Sequence, residues 1–271
     1  MIAAGIGDYV EIDGLKTFYV KRGTGPALVL VHGGSPGACA RVNWGQNIDY
    51  LADAGYTVYA FDQPGFGRTE NSSDYSLEYR VQHAKQFVDS LGLDSYRLMG
   101  NSQGSYIAAR LALEDPKVLK LVLVSSGTLA PRGSDQAEEL AREHAERLNA
   151  YVPSLENMRD LTMQTLLTHG DGFDQMVQER YEMSIGKNEE ASQKRRGTPQ
   201  PRPILRELKN LKIPVLLMWG ANDSGVALER SLLLFNAIPG AELHIFDRCG
   251  HWVQWDQAGR FHTIVRDFFS R

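Results

Sequence analysis

Gly100-Asn101-Ser102-Gln103-Gly104 places a serine where the chain switches from one hydrophobic period to another. Before it, Ser95-Tyr96-Arg97-Leu98-Met99 reads as a buried strand; after it, Ile107, Ala108, Leu111 and Ala112 recur at helical spacing. A strand–turn–helix of this kind imposes strained backbone angles on the serine and needs small neighbours so that strand and helix can approach. It also holds the hydroxyl clear of the backbone, above a helix N-terminus that favours negative charge. A glycine-rich turn is the plainer reading, but the flanking strand and helix favour nucleophilic catalysis by Ser102.

A serine hydroxyl is a weak nucleophile at neutral pH and needs a base, itself oriented by a carboxylate. On a strand–elbow–helix scaffold the expected chain order is Ser, then Asp or Glu, then His. Ile213-Pro214-Val215-Leu216-Leu217-Met218-Trp219-Gly220 reads as a strand ending just before Asp223, and Ala241-Glu242-Leu243-His244-Ile245-Phe246 as one ending before His251. Both candidates follow the carboxyl end of a strand, where open α/β sheets place their chemistry. Of seven histidines, His244 lies inside a strand and His83 and His262 fall in helical stretches. His144 and His169 belong to a middle region, and His32 precedes the serine and is expected to bond nearby backbone. His251 is the base. Asp223 is preferred over Asp247, which sits on the strand leading to His251 itself, and Asp62 is expected to brace a turn.

Acyl-transfer chemistry also needs donors for a developing oxyanion. Ala27-Leu28-Val29-Leu30-Val31 is a continuous apolar run that ends in His32-Gly33-Gly34-Ser35-Pro36-Gly37. The amide of Gly34 or Ser35, with that of Gln103 after the nucleophile, is the expected oxyanion hole.

The elements around these residues alternate. A strand pair over residues 8–21 turns at Asp13-Gly14, and strands near 27–32 and 56–61 flank a helix around 45–54. A helix over 75–91 leads to the elbow strand, Val118 begins the next strand, and a final helix spans 256–270. This pattern predicts an α/β class: a mostly parallel twisted sheet with helices on both faces. Residues 131–208 break the alternation with helical patterns only: Ala137, Leu140, Ala141, Ala145 and Leu148; then Leu155 to Leu167; then Phe173, Met176, Val177 and Arg180. They are expected to form a helical lid over a core made of 1–130 and 209–271, closed by a stiff proline-rich tether at Pro199, Pro201 and Pro203. Arg180, on an apolar stripe, either reaches water, pairs with an internal carboxylate, or awaits an anionic ligand.

Composition excludes several classes. The 271 residues are 42% hydrophobic and 23% charged with net charge −4, which suits a globular protein and no nucleic-acid partner. The one dense basic cluster, Lys194-Arg195-Arg196, reads as a solvated surface turn. Two cysteines, Cys39 and Cys249, make no disulfide framework and read as small buried fillers; Cys249 and His251 have too few companions for a metal site. With no signal-like or membrane-length segment, a cytoplasmic location is expected, with no membrane partner.

The assembled residues resemble the α/β-hydrolases, and within them the meta-cleavage product hydrolases. His32-Gly33-Gly34-Ser35-Pro36-Gly37-Ala38, Asp62-Gln63-Pro64-Gly65-Phe66, Gly100-Asn101-Ser102, Gln178-Glu179-Arg180 and Gly250-His251-Trp252 are each similar to that family's motifs. The resemblance implies cofactor-independent hydrolysis of a C–C bond in a vinylogous 1,5-diketone, a 2-hydroxy-6-oxo-dienoate from aromatic ring fission. It implies that Asn43, Asn101, Arg180 and Trp252 hold the small-molecule substrate's dienoate end, and it carries an expectation of a homodimer. An esterase, lactonase or thioesterase acting on a bulky acyl group is the alternative, and a receptor that keeps the fold without turnover is a third class. Ser35, Gln103 and Ser105 depart from the family pattern, and Gly225 stands where a bulky residue is common after the acid. That glycine predicts an enlarged pocket at the acyl end and a larger substrate.

Overall fold

The computed structural model describes residues 7–271. Eight strands, β1 (Asp8–Ile12), β2 (Leu15–Arg22), β3 (Ala27–Val31), β4 (Thr57–Phe61), β5 (Tyr96–Asn101), β6 (Val118–Val124), β7 (Val215–Gly220) and β8 (Glu242–Phe246), form one sheet in the order β1-β2-β4-β3-β5-β6-β7-β8. β2 runs antiparallel to both β1 and β4; the remaining neighbours are parallel.

The central strands are mostly apolar because both faces are covered, with Arg97 of β5 and Lys120 of β6 half-buried near the strand starts. Val29 and Val31 of β3 point with Leu98, Leu121, Leu123 and Leu217 into one core, against α2 (Leu77–Ser90), α3 (Gln103–Glu114) and α8 (Glu229–Ala237). Leu28 and Leu30 point the other way with Met99, Val122, Val124 and Leu216, against α1 (Ala40–Asp53) and α10 (Ala258–Ser270), the latter preceded by the short α9 (Val253–Asp256).

α1 begins five residues before the expected residue 45, because its first turn is capped from elsewhere: Cys39 Sγ accepts the Val42 amide, and Asp62 Oδ1, beyond β4, accepts the Ala40 amide at 2.8 Å. Asp62 Oδ2 takes the Arg68 amide at 2.8 Å, so this carboxylate braces two loops.

Between β6 and β7 stand four helices, α4 (Asp135–Ala150), α5 (Leu155–Thr165), α6 (Phe173–Glu182) and α7 (Lys187–Arg196). Met158, Leu161, Phe173, Met176 and Val177 give α5 and α6 a small core of their own, which reaches Cys39, Val42 and Trp252 of the main body. α7 corrects the sequence reading, since Lys194-Arg195-Arg196 is its last turn and not a solvated surface turn. The Arg195 guanidinium lies 3.7 Å from the Phe66 ring centroid and donates to Gly65 O at 2.6 Å, clasping the insertion to the core. Among the described residues no helix is long and apolar enough to cross a membrane.

Two buried histidines, His32 and His83, and two half-buried ones, His144 and His262, make the fold acid-sensitive. His83 Nε2 meets Thr17 Oγ1 at 2.9 Å, and His262 stacks on Tyr50 at 3.9 Å. Burial lowers His32 from its ordinary 6.5 to about 3, and His83, His144 and His262 to about 4. Each is neutral in the fold and would take a proton below pH 6.5 once unfolded. The unfolded chain therefore holds more protons from about pH 6.5 down to 4, and stability drops on acidification through that window. Asp62 opposes this: burial lifts its carboxyl from 3.8 to about 6, so there the fold holds the extra proton. Four groups against one predict a melting temperature that is level above pH 7 and falls steeply between pH 6.5 and about 4.5. Calorimetry showing no slope there would contradict it.

Candidate active site

Ser102 sits at φ 55°, ψ −122°, a left-handed conformation that a serine adopts only when its surroundings enforce it. Its amide donates to Val124 O at 2.8 Å, tying the turn to β6. A Cβ on Gly100 would stand 2.3 Å from Gly104 O, and one on Gly104 2.3 Å from Val31 O, so neither flank tolerates a side chain. Ser105, a departure from the family pattern, has a use here: its hydroxyl bonds Gly100 O at 2.8 Å and Val124 O at 3.1 Å, closing the elbow. As the first residue of α3, Gln103 has an amide with no intrahelical acceptor.

Asp223 and His251 meet past the ends of β7 and β8. His251 Nδ1 lies 2.8 Å from Asp223 Oδ2, and both side chains are buried. The other carboxylate oxygen accepts the Gly225 and Val226 amides at 2.8 and 2.9 Å, which fixes its plane. Gly220 permits the approach of the two loops, since a Cβ there would stand 2.1 Å from Gly250 O. The histidine loop is pinned by Asp256, which the sequence reading passed over: its carboxylate takes the amides of Gly250, Leu167 and Thr168 at 2.7, 2.9 and 2.8 Å. His251 N also donates to Thr165 O at the end of α5, so the insertion holds the His251 loop directly.

Ser102, Gln103 and His251 share a cavity of about 240 Å³ with Gly34, Ser35 and Trp252. That is room for roughly eight waters at about 30 Å³ each. Ala141, His144, Ala145 and Leu148 of α4 face the same space, so the apolar stripe of that helix roofs it. A second cavity of about 190 Å³ shares Gly34 and Gln103 as its wall and contains Arg80, whose guanidinium donates to Gln103 Oε1 at 3.0 Å.

The four residues that the resemblance assigns to substrate are not all on the wall. Trp252 is. Asn43 and Asn101 are wholly buried behind it: Asn43 Oδ1 accepts the Gly33 amide at 2.8 Å and its Nδ2 donates to Asn101 Oδ1 at 3.1 Å. This pair holds the glycine-rich loop after β3 from the rear. Arg180 is also wholly buried, donating to Pro36 O at 3.1 Å, Thr162 Oγ1 at 2.9 Å and Ser35 Oγ at 3.0 Å, with its guanidinium 5.0 Å from the Trp252 ring centroid. It neither reaches water nor, among the described residues, pairs with a carboxylate. Burial lowers it to about 10, still a cation at neutral pH.

His32 is neutral and locked: Nδ1–H donates to Gly33 O at 2.7 Å while Nε2 accepts the Gln63 amide at 3.0 Å. Both cysteines are buried, and the described residues hold no cluster of three metal-ligating side chains.

Gly225 does not simply enlarge the pocket. A Cβ there would stand 2.9 Å from the His144 ring, so the glycine admits an imidazole from α4 into the space. That ring lies 6.1 Å from the His251 ring, centroid to centroid, and burial followed by its neighbour His251 lowers it to about 4. The signal was in the sequence, because Ala141, His144, Ala145 and Leu148 fall on one helical face.

Comparison with known proteins agrees with this architecture. A sequence profile of the alpha/beta hydrolase fold matches residues 26–258. The 2-hydroxy-6-oxononadienedioate/2-hydroxy-6-oxononatrienedioate hydrolase of Burkholderia vietnamiensis is 34% identical over 269 residues, covering 95% of this chain and 92% of the relative. Its namesake from Escherichia coli K12 is 32% identical over 258 residues, covering 90% and 87%. Among solved structures, a meta-cleavage product hydrolase from Pseudomonas fluorescens IP01 aligns with TM-score 0.85 at 30% identity over 98% of both chains. The 2-hydroxy-6-oxo-6-phenylhexa-2,4-dienoate hydrolase of Rhodococcus sp. strain RHA1 aligns with TM-score 0.86 at 27% identity, covering 98% of this chain and 99% of that one.

Proposed function

This chain belongs to the α/β-hydrolase family and is an enzyme, and we propose that it hydrolyses a carbon–carbon bond in a 2-hydroxy-6-oxo-dienoate using Ser102, His251 and Asp223. The observation that carries the reading is Arg180. A guanidinium buried completely and without a carboxylate is costly, and this one is fixed against Ser35 and Trp252, both on the wall of the Ser102 cavity. An enzyme for simple esters has no need of a cation there. A dienoate carboxylate placed at that wall would be held by the Ser35 hydroxyl and the field of Arg180. The names of relatives at 32–34% identity support the same substrate class.

In this mechanism Asp223 accepts a hydrogen bond from His251 Nδ1–H, which leaves Nε2 with the lone pair. Ketonisation first moves the enol proton to the carbon next to the 6-oxo group. A nucleophile then adds to C6: Ser102 Oγ, or water, deprotonated by His251. The oxyanion is held by the amide of Gly34 or Ser35 together with that of Gln103. The C5–C6 bond breaks with its electron pair passing into the dienol, and water is consumed to give a carboxylic acid and a 2-hydroxy-dienoate. The insertion over 131–208 acts as a lid, with α4 excluding bulk water from this step.

The test compares turnover of a ring-fission dienoate with that of a p-nitrophenyl ester. Arg180→Ala should lower kcat/KM for the dienoate roughly 10- to 100-fold, the scale of one charge-assisted contact, and affect the ester far less. Equal losses on both substrates, or no loss on the dienoate, would assign Arg180 a purely structural part.

A further inference from the structure

The cavity wall holds a second buried cation, Arg230, in the first turn of α8 and only 5% exposed. A cation there is poorly placed, because a helix N-terminus already carries positive partial charge. Its Nη2 donates to Ala130 O, and its Nη1 stands 3.8 Å from where a Cβ on Gly127 would lie. Its Nε, and the sheltered hydroxyl of Thr128 on the same wall, have no hydrogen-bond partner among the described residues.

The nearest carboxylates are engaged elsewhere. Glu138 pairs with Arg132 at 2.8 Å, and Glu229 accepts the Ser134 hydroxyl at 2.9 Å on each oxygen. Neither forms an ion pair with Arg230. Unpaired buried donors and charges are costly to keep, so this wall is suited to an incoming anion. Two parts of one cavity are thereby cationic in character: the Ser35–Trp252 part backed by Arg180, and the Gly127–Val226 part carrying Arg230.

We infer that Arg230 is the specificity residue for a carboxylate at the acyl end of the substrate, the second carboxylate that the dienedioate names of the relatives imply. The inference rests on the dienoate reading above. With the dienoate end at the Ser35 wall and C6 at Ser102, the acyl arm extends along Gly127 and Val226, and its terminal carboxylate meets the guanidinium. Cleavage then releases that arm as a short aliphatic dicarboxylic acid. The volume of about 240 Å³ and the His144 ring beside Gly225 favour such an arm over an extended aryl group.

Two matched pairs of substrates test this: 6-oxo-dienoates whose acyl arm ends in carboxylate or in its methyl ester, and p-nitrophenyl hemisuccinate beside p-nitrophenyl butyrate. The expected result is that wild type prefers the carboxylate-bearing member of each pair by on the order of 10- to 100-fold in kcat/KM, the scale of a charged hydrogen-bonded contact. Arg230→Gln should bring that ratio toward one, and Arg230→Lys should restore part of it. A wild-type ratio near or below one overturns the inference whatever the variants do, and so does a ratio that survives in Arg230→Gln. Turnover of either dienoate with no preference would leave C–C cleavage standing and remove only the Arg230 assignment. If neither dienoate reacts, C–C cleavage fails while the ester ratio still decides the acyl wall.

Discussion

Ser102→Gly is expected to lower turnover on the order of 10⁴-fold or more while raising the melting temperature. The activity loss follows from removing the hydroxyl if Ser102 is the nucleophile of the proposed mechanism. The stability gain follows from the backbone: φ 55°, ψ −122° is a conformation glycine adopts freely and serine does not. Strain at such a residue is worth about 1–3 kcal/mol, against roughly 0.5–1 kcal/mol for the greater freedom of glycine in the unfolded chain. A net gain of about 1 kcal/mol corresponds to about 2–4 °C in a domain of this size class. Ser102→Ala separates the two effects, because alanine keeps the strain and loses only the hydroxyl. It should match the activity loss without the thermal gain. Residual turnover above about a tenth of wild type in either variant would mean that Ser102 is not the nucleophile.

How far the sequence could be read depended on whether a residue's partners were local. β3 and β7 are continuous apolar runs, and β5 and β6 nearly so, because both faces of the sheet are covered, and that signal is local. The elbow and the order Ser102, Asp223, His251 are legible for the same reason, as each follows a recognisable strand. α7 escaped because Lys187–Arg196 has almost no apolar face; only Asn188 and Ala191 are buried. Its charge order, Glu189 and Glu190 in the first turn and Lys194 to Arg196 in the last, suits the helix dipole and was the signal available.

Residues whose meaning depends on distant partners were less accessible. Asp256 collects amides from two loops, Arg230 donates to Ala130 O 100 positions away, and Arg180 donates to Ser35, 145 positions away. Gly225 shows how a correct local observation can mislead. The missing side chain was visible, but the imidazole that takes its place comes from α4, so the inferred enlargement did not follow.

Asp223→Asn should lower kcat by about 10³- to 10⁴-fold with KM and melting temperature close to wild type. One carboxylate oxygen accepts the Gly225 and Val226 amides, and those bonds can be kept only by the oxygen of an asparagine. Its NH₂ is then directed at His251 Nδ1, the atom now 2.8 Å from Oδ2. An NH₂ group there donates, so Nδ1 must accept and the ring proton moves to Nε2. The imidazole keeps its place and loses the lone pair that would take the proton from Ser102 or water. The fold survives because both backbone amides stay satisfied, which distinguishes this variant from Asp223→Ala, where two buried amides lose their acceptor at a cost of about 1–3 kcal/mol each. Labelling by a fluorophosphonate should slow in parallel with kcat, since it uses the same base. An Asp223→Asn enzyme within tenfold of wild type would show that the carboxylate does not set the tautomer of His251, and the proposed relay would have to be abandoned.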